Sequence, residues 1–296
     1  MKISICIPVY HPNLSYLKQA VESVQSQTCK DWTLTLVDGS NEPCIEVREY
    51  VSSLNDSKIT YTINDFDKSM AGNWNHCIEV AESELVVLLH DDDLLLPNYI
   101  ENIIKLHSHS PNATAYFTGV KTIDENGLPC LTMADRVKGY YQPNTDEIIL
   151  KGDDGLASIL AVNYLFCPTL CYQVNKIRHL PFKKHLKMVA DLDFYSRAML
   201  NGGVFIGISE PHYSYRRHSE NQTSKLTIST ERFIEEISLY DAHTLKLDRS
   251  MWPKSFRESK SKKMLKLHII FSALLSLLKL DFGQVKRFCK VLYQCF

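Results

Sequence analysis

Neither sign of charge prevails in this chain: 33 Lys and Arg stand against 34 Asp and Glu, for a net charge of −1 at pH 7. That balance provides no global attraction to a polyanion and argues against nucleic acid as the partner. Nor is there a window of eighteen uninterrupted apolar residues, so a membrane-spanning helix is not expected. The opening Met1-Lys2-Ile3-Ser4-Ile5 lacks the basic and apolar blocks of a signal peptide and runs directly into a strand pattern. The nine cysteines form no C-x-x-C pair. Several, Cys6 and Cys171 among them, lie in apolar runs. They read as reduced core thiols of a cytosolic protein, and Cys167 with Cys171 lacks the second Cys/His pair of a zinc site. Internal repeats and low-complexity segments are also missing. What remains, 45% hydrophobic and 23% charged residues, is the composition of an ordinary soluble globular protein.

The first hundred residues alternate regularly. Ile3, Ile5, Ile7 and Val9 recur with the period of a strand closed by Pro8 and Pro12, and Leu14, Leu17, Val21 and Val24 share a helical face. Trp32 to Val37 is a second strand ended by the turn residues Asp38-Gly39-Ser40-Asn41. A helix over Ile45 to Leu54 and a strand over Lys58 to Ile63 follow. Trp74, Cys77, Ile78 and Ala81 then mark a helix whose other faces carry Asn73 and Asn75, placed to reach a ligand. Leu85 to Leu89 is a fourth strand, and Pro97 opens a helix with Ile100, Ile103 and Ile104 inward. This β-α-β-α order predicts an α/β fold with a mainly parallel sheet flanked by helices. Ligands of such sheets bind beyond the carboxyl ends of the strands, where Tyr10-His11, Asp38 and Asp91 to Asp93 converge.

The triplet Asp91-Asp92-Asp93 is the sharpest signal. Three adjacent carboxylates at the end of a buried strand repel one another unless water or a cation neutralises them. They suit Mg²⁺ or Mn²⁺ together with a phosphate group. The same triplet also reads as a solvated, dipole-favoured entrance to the helix after Pro97. With Asp38 and the first-strand motif on the same rim, the cation reading prevails. By themselves, Asp191 and Asp193 read as ordinary acids of a helix N-terminus, and His218 beside Arg216 and Arg217 as a surface basic cluster.

Taken in order and spacing, Ile5-Cys6-Ile7-Pro8-Val9-Tyr10, Leu36-Val37-Asp38-Gly39-Ser40, Asn73-Trp74-Asn75 and Leu89-His90-Asp91-Asp92-Asp93 with Pro97 resemble the family 2 glycosyltransferases, nucleotide-sugar enzymes of the GT-A fold. The resemblance runs from residue 3 to about 107 and resumes at Ala190-Asp191-Leu192-Asp193 and Tyr215-Arg216-Arg217-His218. It implies that Pro8, Val9 and Tyr10 line the nucleotide pocket, that Asp38 contacts a uracil base, and that the acidic triplet holds the ribose and a Mn²⁺ or Mg²⁺ ion on the diphosphate. It further implies Asp191 as general base and His218 as an additional metal ligand. Within the triplet the metal falls to Asp92 in the aligned register, supported by Asp93, or to Asp91 and Asp93 as a literal D-x-D; Asp92 is favoured.

The expected activity is inverting, metal-dependent transfer of a hexose or N-acetylhexosamine from a UDP-sugar to a glycan or lipid-linked acceptor in bacterial surface-polysaccharide synthesis. Two other classes compete. A sugar-phosphate nucleotidyltransferase would carry a Gly-rich basic loop after the first strand, where Val9-Tyr10-His11-Pro12-Asn13 has neither Gly nor Arg. A non-catalytic, glycosyltransferase-like nucleotide-binding subunit is the other, kept open by His90 and Ala190.

Beyond residue 113 the pattern loosens. Ala115-Tyr116-Phe117, Thr169 to Tyr172 and Val204 to Ile208 look like strands, and residues 124 to 155 read as a long loop, an acceptor-side lid or insertion. Leu192, Tyr195 and Met199 share a helix stopped by Asn201-Gly202-Gly203. The expected division is a catalytic unit over 1–225 and a helical extension over 226–296. The basic, apolar tail lies on the inner face of the plasma membrane, on its own domain or on a second subunit of a homo-oligomer.

Overall fold

The computed structural model of the protein describes residues 1–218 and 222–296. Its element order is β1 (Ile3–Val9), α1 (Leu14–Gln25), β2 (Trp32–Asp38), α2 (Ile45–Ser53), β3 (Ile59–Ile63), α3 (Met70–Val80), β4 (Leu85–Leu88), β5 (Leu94–Leu95), α4 (Tyr99–His109), β6 (Ala115–Ile123), α5 (Met133–Tyr141), β7 (Ile148–Leu150), α6 (Gly152–Ala161), β8 (Leu170–Gln173), α7 (Val174–Ile177), α8 (Ala190–Leu200), β9 (Phe205–Arg216), α9 (Gln222–Ser229), α10 (Glu231–Lys246), α11 (Pro253–Ser261), α12 (Lys263–Leu278) and α13 (Phe282–Tyr293). Among the described residues the strands form one nine-stranded sheet in the order β3-β2-β1-β4-β8-β6-β9-β5, with β7 also on β9.

The predicted α/β sheet is present. β1 pairs in parallel with β2 and β4, and β2 with β3, so Val9, Asp38 and Leu88 end on one rim. Strand alternation builds a core on each face. Ile3, Ile5, Ile7, Val9, Leu85, Val87 and Leu89 pack with α1, α2 and α4, while Cys6, Val86 and Leu88 pack with α3, α6 and α8 on the other side. Pro8 is tolerated inside a central strand because the β1–β4 pairing ends at Cys6–Leu88, leaving no ladder partner for the N–H it lacks. Asn13 caps α1 by accepting the Ser15 and Tyr16 N–H groups, and Ser69 caps α3 through Gly72 N–H.

Three expectations are corrected. Residues 124–155 are not a bare loop: they contain α5 and β7 and lead into α6. A Thr132–Asp135 capping box starts α5, and Arg217 from beyond β9 forms an ion pair with Asp135, so the helix is held by a tertiary clamp. The helix after Pro97 begins only at Tyr99, and the short strand β5, paired with Tyr213 and Ser214 of β9, separates it from the acidic triplet. The cysteines are not all core thiols either: Cys6, Cys77, Cys167, Cys171 and Cys295 are buried, but Cys289 is exposed. The packed face of α10 (Phe233, Ile237, Leu239, Tyr240) joins the same core cluster as α6 and α8. Among the described residues no helix is long and apolar enough to cross a membrane.

Candidate functional site

At the end of β1, Val9 is buried, Pro8 half-buried and Tyr10 57% exposed. His11 follows with a φ of 48°, a left-handed conformation that is strained for a residue with a Cβ, and its N–H donates to Ser40 Oγ at 3.3 Å. The turn projects Tyr10 outward beside the β2 rim. Gly39 N–H donates to Val9 carbonyl at 2.9 Å, and a Cβ on Gly39 would meet the Asn73 side chain at 2.8 Å. Asn73 Nδ2 donates to the carbonyls of Val9 and Val37. Asn75 both donates to and accepts from the Phe182 backbone. These two asparagines, expected to reach a ligand, are instead committed to joining strand ends and a loop.

Asp38 is fully buried. Its carboxylate accepts the N–H groups of Ser40 at 2.8 Å and Cys44 at 2.7 Å and the Tyr61 hydroxyl at 2.5 Å. Burial pushes its pKa up, but the hydrogen bonds from Cys44, Tyr61 and Ser40 together hold it below its ordinary 3.8. In this structure Asp38 organises the loop behind Tyr10. A depressed carboxyl pKa contributes stability above the unfolded value and loses it as pH falls through the folded value. Thermal stability is therefore expected to drop on acidification below about pH 4, with a flatter acid limb for Asp38→Asn in scans across that range.

The triplet after β4 separates into three roles. Asp93 is fully buried; it accepts the Tyr213 hydroxyl at 2.9 Å and Arg216 N–H at 2.7 Å. Burial, with repulsion from Asp92, keeps its pKa well above the ordinary carboxylate range. Arg216, 1% exposed, donates to the carbonyls of Asp92, Asp124 and Glu125 and to Gln19 Oε1. These bonds weld the turn to β9. Asp92 is less enclosed, and its Oδ2 lies 2.8 Å from Nε2 of His218, brought back from 126 positions along the chain. Asp91 is half-buried, and burial followed by Asp92 repulsion pushes its pKa up to about 7. The helix-entrance reading of the triplet fails, because α4 starts six residues after Asp93.

His90, which kept the non-catalytic reading open, stacks on Trp74 at 5.8 Å. Its Nδ1 lies 3.8 Å from Asp93 Oδ2, and its buried Nε2 has no hydrogen-bond partner among the described residues. Burial lowers its pKa and so favours the neutral imidazole, against the opposing charge of Asp92. One potential ligand atom each from His90, Asp92 and Asp93 lies within 4.8 Å of the others. Asp93 already has both oxygens engaged by Arg216 N–H and the Tyr213 hydroxyl, so within this cluster Asp92 and the neutral His90 imidazole are the donors left for a divalent cation.

Asp191 stands in the first turn of α8. Its Oδ1 accepts Leu192 N–H at 2.7 Å and its Oδ2 accepts Asn163 Nδ2 at 3.1 Å. Burial raises its pKa; Leu192 N–H, the Lys138 charge and Asn163 oppose the rise. Lys138, from α5, rests 4.0 Å over the Phe166 ring, and burial lowers its pKa to about 8 despite the attraction of Asp191. Asp193 is buried and paired with Lys183 and Arg197, a structural role. Glu235 of α10 accepts the N–H groups of Lys187, Met188 and Val189, the turn that leads into α8. Asn163, Lys138 and Glu235 escaped the sequence reading because only the fold brings the first two to Asp191 and the third to the turn before it.

Against known proteins, the profile of glycosyl transferase family 2 matches residues 4–155. The uncharacterized glycosyltransferase MJ1057 of Methanocaldococcus jannaschii is 25% identical over 248 residues, 82% of this chain and 78% of that protein. The putative colanic acid biosynthesis glycosyl transferase WcaA of Escherichia coli K12 is 23% identical over 254 residues, 84% of this chain and 85% of that one. Another relative, 28% identical over 153 residues, is a longer protein of which the chain spans 16%. Among solved structures, residues 1–349 of S. aureus TarS in complex with UDP-GlcNAc superpose with a TM-score of 0.60 at 14% identity, covering 99% of this chain and 92% of that one. With half of its length matched by the family profile and its sheet laid out on the GT-A plan, the chain belongs to glycosyl transferase family 2.

Proposed function

We propose that the protein transfers a hexose or N-acetylhexosamine from a UDP-sugar to a hydroxyl of a glycan or lipid-linked glycan, with inversion, in surface-polysaccharide assembly. The observation that carries this reading is the approach of His218 Nε2 to Asp92 Oδ2 in the turn after β4, where ligand atoms of His90, Asp92 and Asp93 cluster. Tyr10 would provide a face for the base, with Asp38 holding the loop behind it. Asp92, His90 and His218 would hold Mn²⁺ or Mg²⁺, with Asp93 fixing the turn and Asp91 beside it. A bound divalent ion would supply neutralisation of the leaving diphosphate. The relatives support the substrate class: TarS was crystallised with UDP-GlcNAc, and WcaA is named for colanic acid biosynthesis.

In the proposed reaction the acceptor oxygen forms a bond to the anomeric carbon as the bond from that carbon to the diphosphate oxygen breaks. UDP leaves, and the acceptor proton passes to Asp191. Leu192 N–H and Asn163 fix the carboxylate, and Lys138 opposes the cost of its burial. Residues 1–225 would form the catalytic unit and 226–296 the extension, with Glu235 of the extension setting the turn before Asp191. Glu235→Ala removes the acceptor for three N–H groups. It is expected to cost about 1–3 kcal/mol in chemical denaturation and to lower kcat more than donor KM, with Glu235→Gln restoring part of both.

The direct test is UDP release from a panel of UDP-sugars with Mn²⁺ and a glycan acceptor, alongside the thermal shift each donor produces. Stabilisation by one UDP-sugar with acceptor-dependent UDP release is the expected result. A panel in which no UDP-sugar stabilises the fold and no UDP is released would overturn the proposal.

A further inference from the structure

α12 and α13 form a hairpin whose inner residues, Leu265 and Ile269 on one helix and Phe288 and Val291 on the other, join the main core together with Cys295 just past α13. Among the described residues the outer face of α12 has no such cover. Leu267, Ile270, Phe271, Leu274 and Leu278 recur at i, i+3, i+4, i+7 and i+11, and each is 40–80% exposed. Their spacing places them on one stripe of the helix. The turn between the helices continues the apolar surface, with Leu280 73% and Phe282 65% exposed. A contiguous stripe of this kind is not ordinary scattered surface hydrophobicity.

Charge identifies the occupant. Residues 262–296 contain seven Lys and Arg but one acid, Asp281, which caps α13 by accepting Gln284 N–H. With the whole chain at −1 and this segment at 7 − 1 = +6, the remaining chain is at −7. Lys263, Lys279, Lys286, Arg287 and Lys290 are all exposed. In a two-fold contact through this face, a second copy would set the same basic residues against themselves, which costs association energy. An anionic lipid surface instead offers hydrocarbon to the leucine stripe and negative headgroups to the exposed basic residues of the same hairpin. We infer that the outer face of the α12–α13 hairpin docks the protein peripherally on an anionic membrane. The inference stands on this surface and does not depend on the sugar-transfer reading.

The test is co-sedimentation of the full chain with vesicles of phosphatidylcholine, with and without phosphatidylglycerol. Binding is expected with phosphatidylglycerol, little with phosphatidylcholine alone, and a steep loss as salt rises. Lys286→Glu, Arg287→Glu and Lys290→Glu combined should weaken binding by about 100-fold or more. Leu274→Ser with Leu278→Ser should also weaken it, with the melting temperature of each variant checking that the fold is intact. No binding by the wild type, or binding indifferent to both sets of changes, overturns the inference. So does a dimer in sedimentation velocity that dissociates on Leu274→Asp, which would assign the face to a second copy.

Discussion

Asp191→Asn is expected to lower turnover by about 10²–10⁴-fold, the usual contribution of a positioned general base, while leaving the donor dissociation constant nearly unchanged. Asparagine keeps the shape, and its oxygen can still accept Leu192 N–H, so the helix start should survive. What is lost is the ability to take a proton. Stability should move the other way or stay level. Burial raises the Asp191 pKa above its ordinary 3.8. A raised carboxyl pKa means that the folded form is most favoured below the unfolded value and loses that advantage as pH rises through the folded value. At neutral pH the ionised side chain is therefore a cost, and the neutral amide removes it. The expected pair of results is a collapse of kcat in saturating UDP-sugar and a melting temperature at pH 7 equal to or above the wild type. Calorimetric titration with UDP separates binding from chemistry. Retained turnover would remove Asp191 from the mechanism; a parallel loss of UDP binding and melting temperature would make it a structural residue.

The contrast between Asp191 and Asp38 shows what a sequence can disclose. The rim is legible because period-two runs such as Ile3 to Val9 and short intervening helices leave few arrangements other than a parallel sheet, and the polar breaks then fall at strand ends. Asp191 is legible only through resemblance, since an acid in the first turn of a helix is commonplace. Which atom a side chain engages was not readable at all. Asp38 turns its carboxylate onto its own loop, and Asn73 and Asn75 bind backbone, because nearby orphan N–H and carbonyl groups compete for them. α5 was hidden because residues 124–155 are dominated by turn-forming and charged residues. Its stability comes from Asp135 meeting Arg217, 82 positions away. β5 is two residues long, too short for periodicity, yet it fixes the spacing between the triplet and α4. Lys138 and Glu235 reach the α8 start from separate helices, a convergence set by packing.

Chelation should divide the acidic triplet by function. In EDTA, transfer is expected to fall to background and return with added Mn²⁺ or Mg²⁺, and the wild type should show a metal-dependent rise in melting temperature. Asp92→Ala is expected to weaken metal binding by at least about 100-fold, beyond the 10–100-fold typical when only a supporting partner of a ligand is removed. Its apo melting temperature should change little, because Asp92 is the more open member, paired with His218 near the surface. Asp93→Ala should do the reverse. It leaves the Tyr213 hydroxyl and Arg216 N–H without their acceptor in a fully buried place. Two such losses cost about 2–4 kcal/mol after allowance for the relief of burying a carboxyl. His90→Phe preserves a ring against Trp74 but removes the unpartnered nitrogen. If that nitrogen is a ligand, Mn²⁺ affinity measured by calorimetry falls while the fold holds; if it only packs, affinity stays. Equal metal affinity in the wild type, Asp92→Ala and His90→Phe would move the cation away from this turn, and a stable Asp93→Ala would show that β9 does not depend on it.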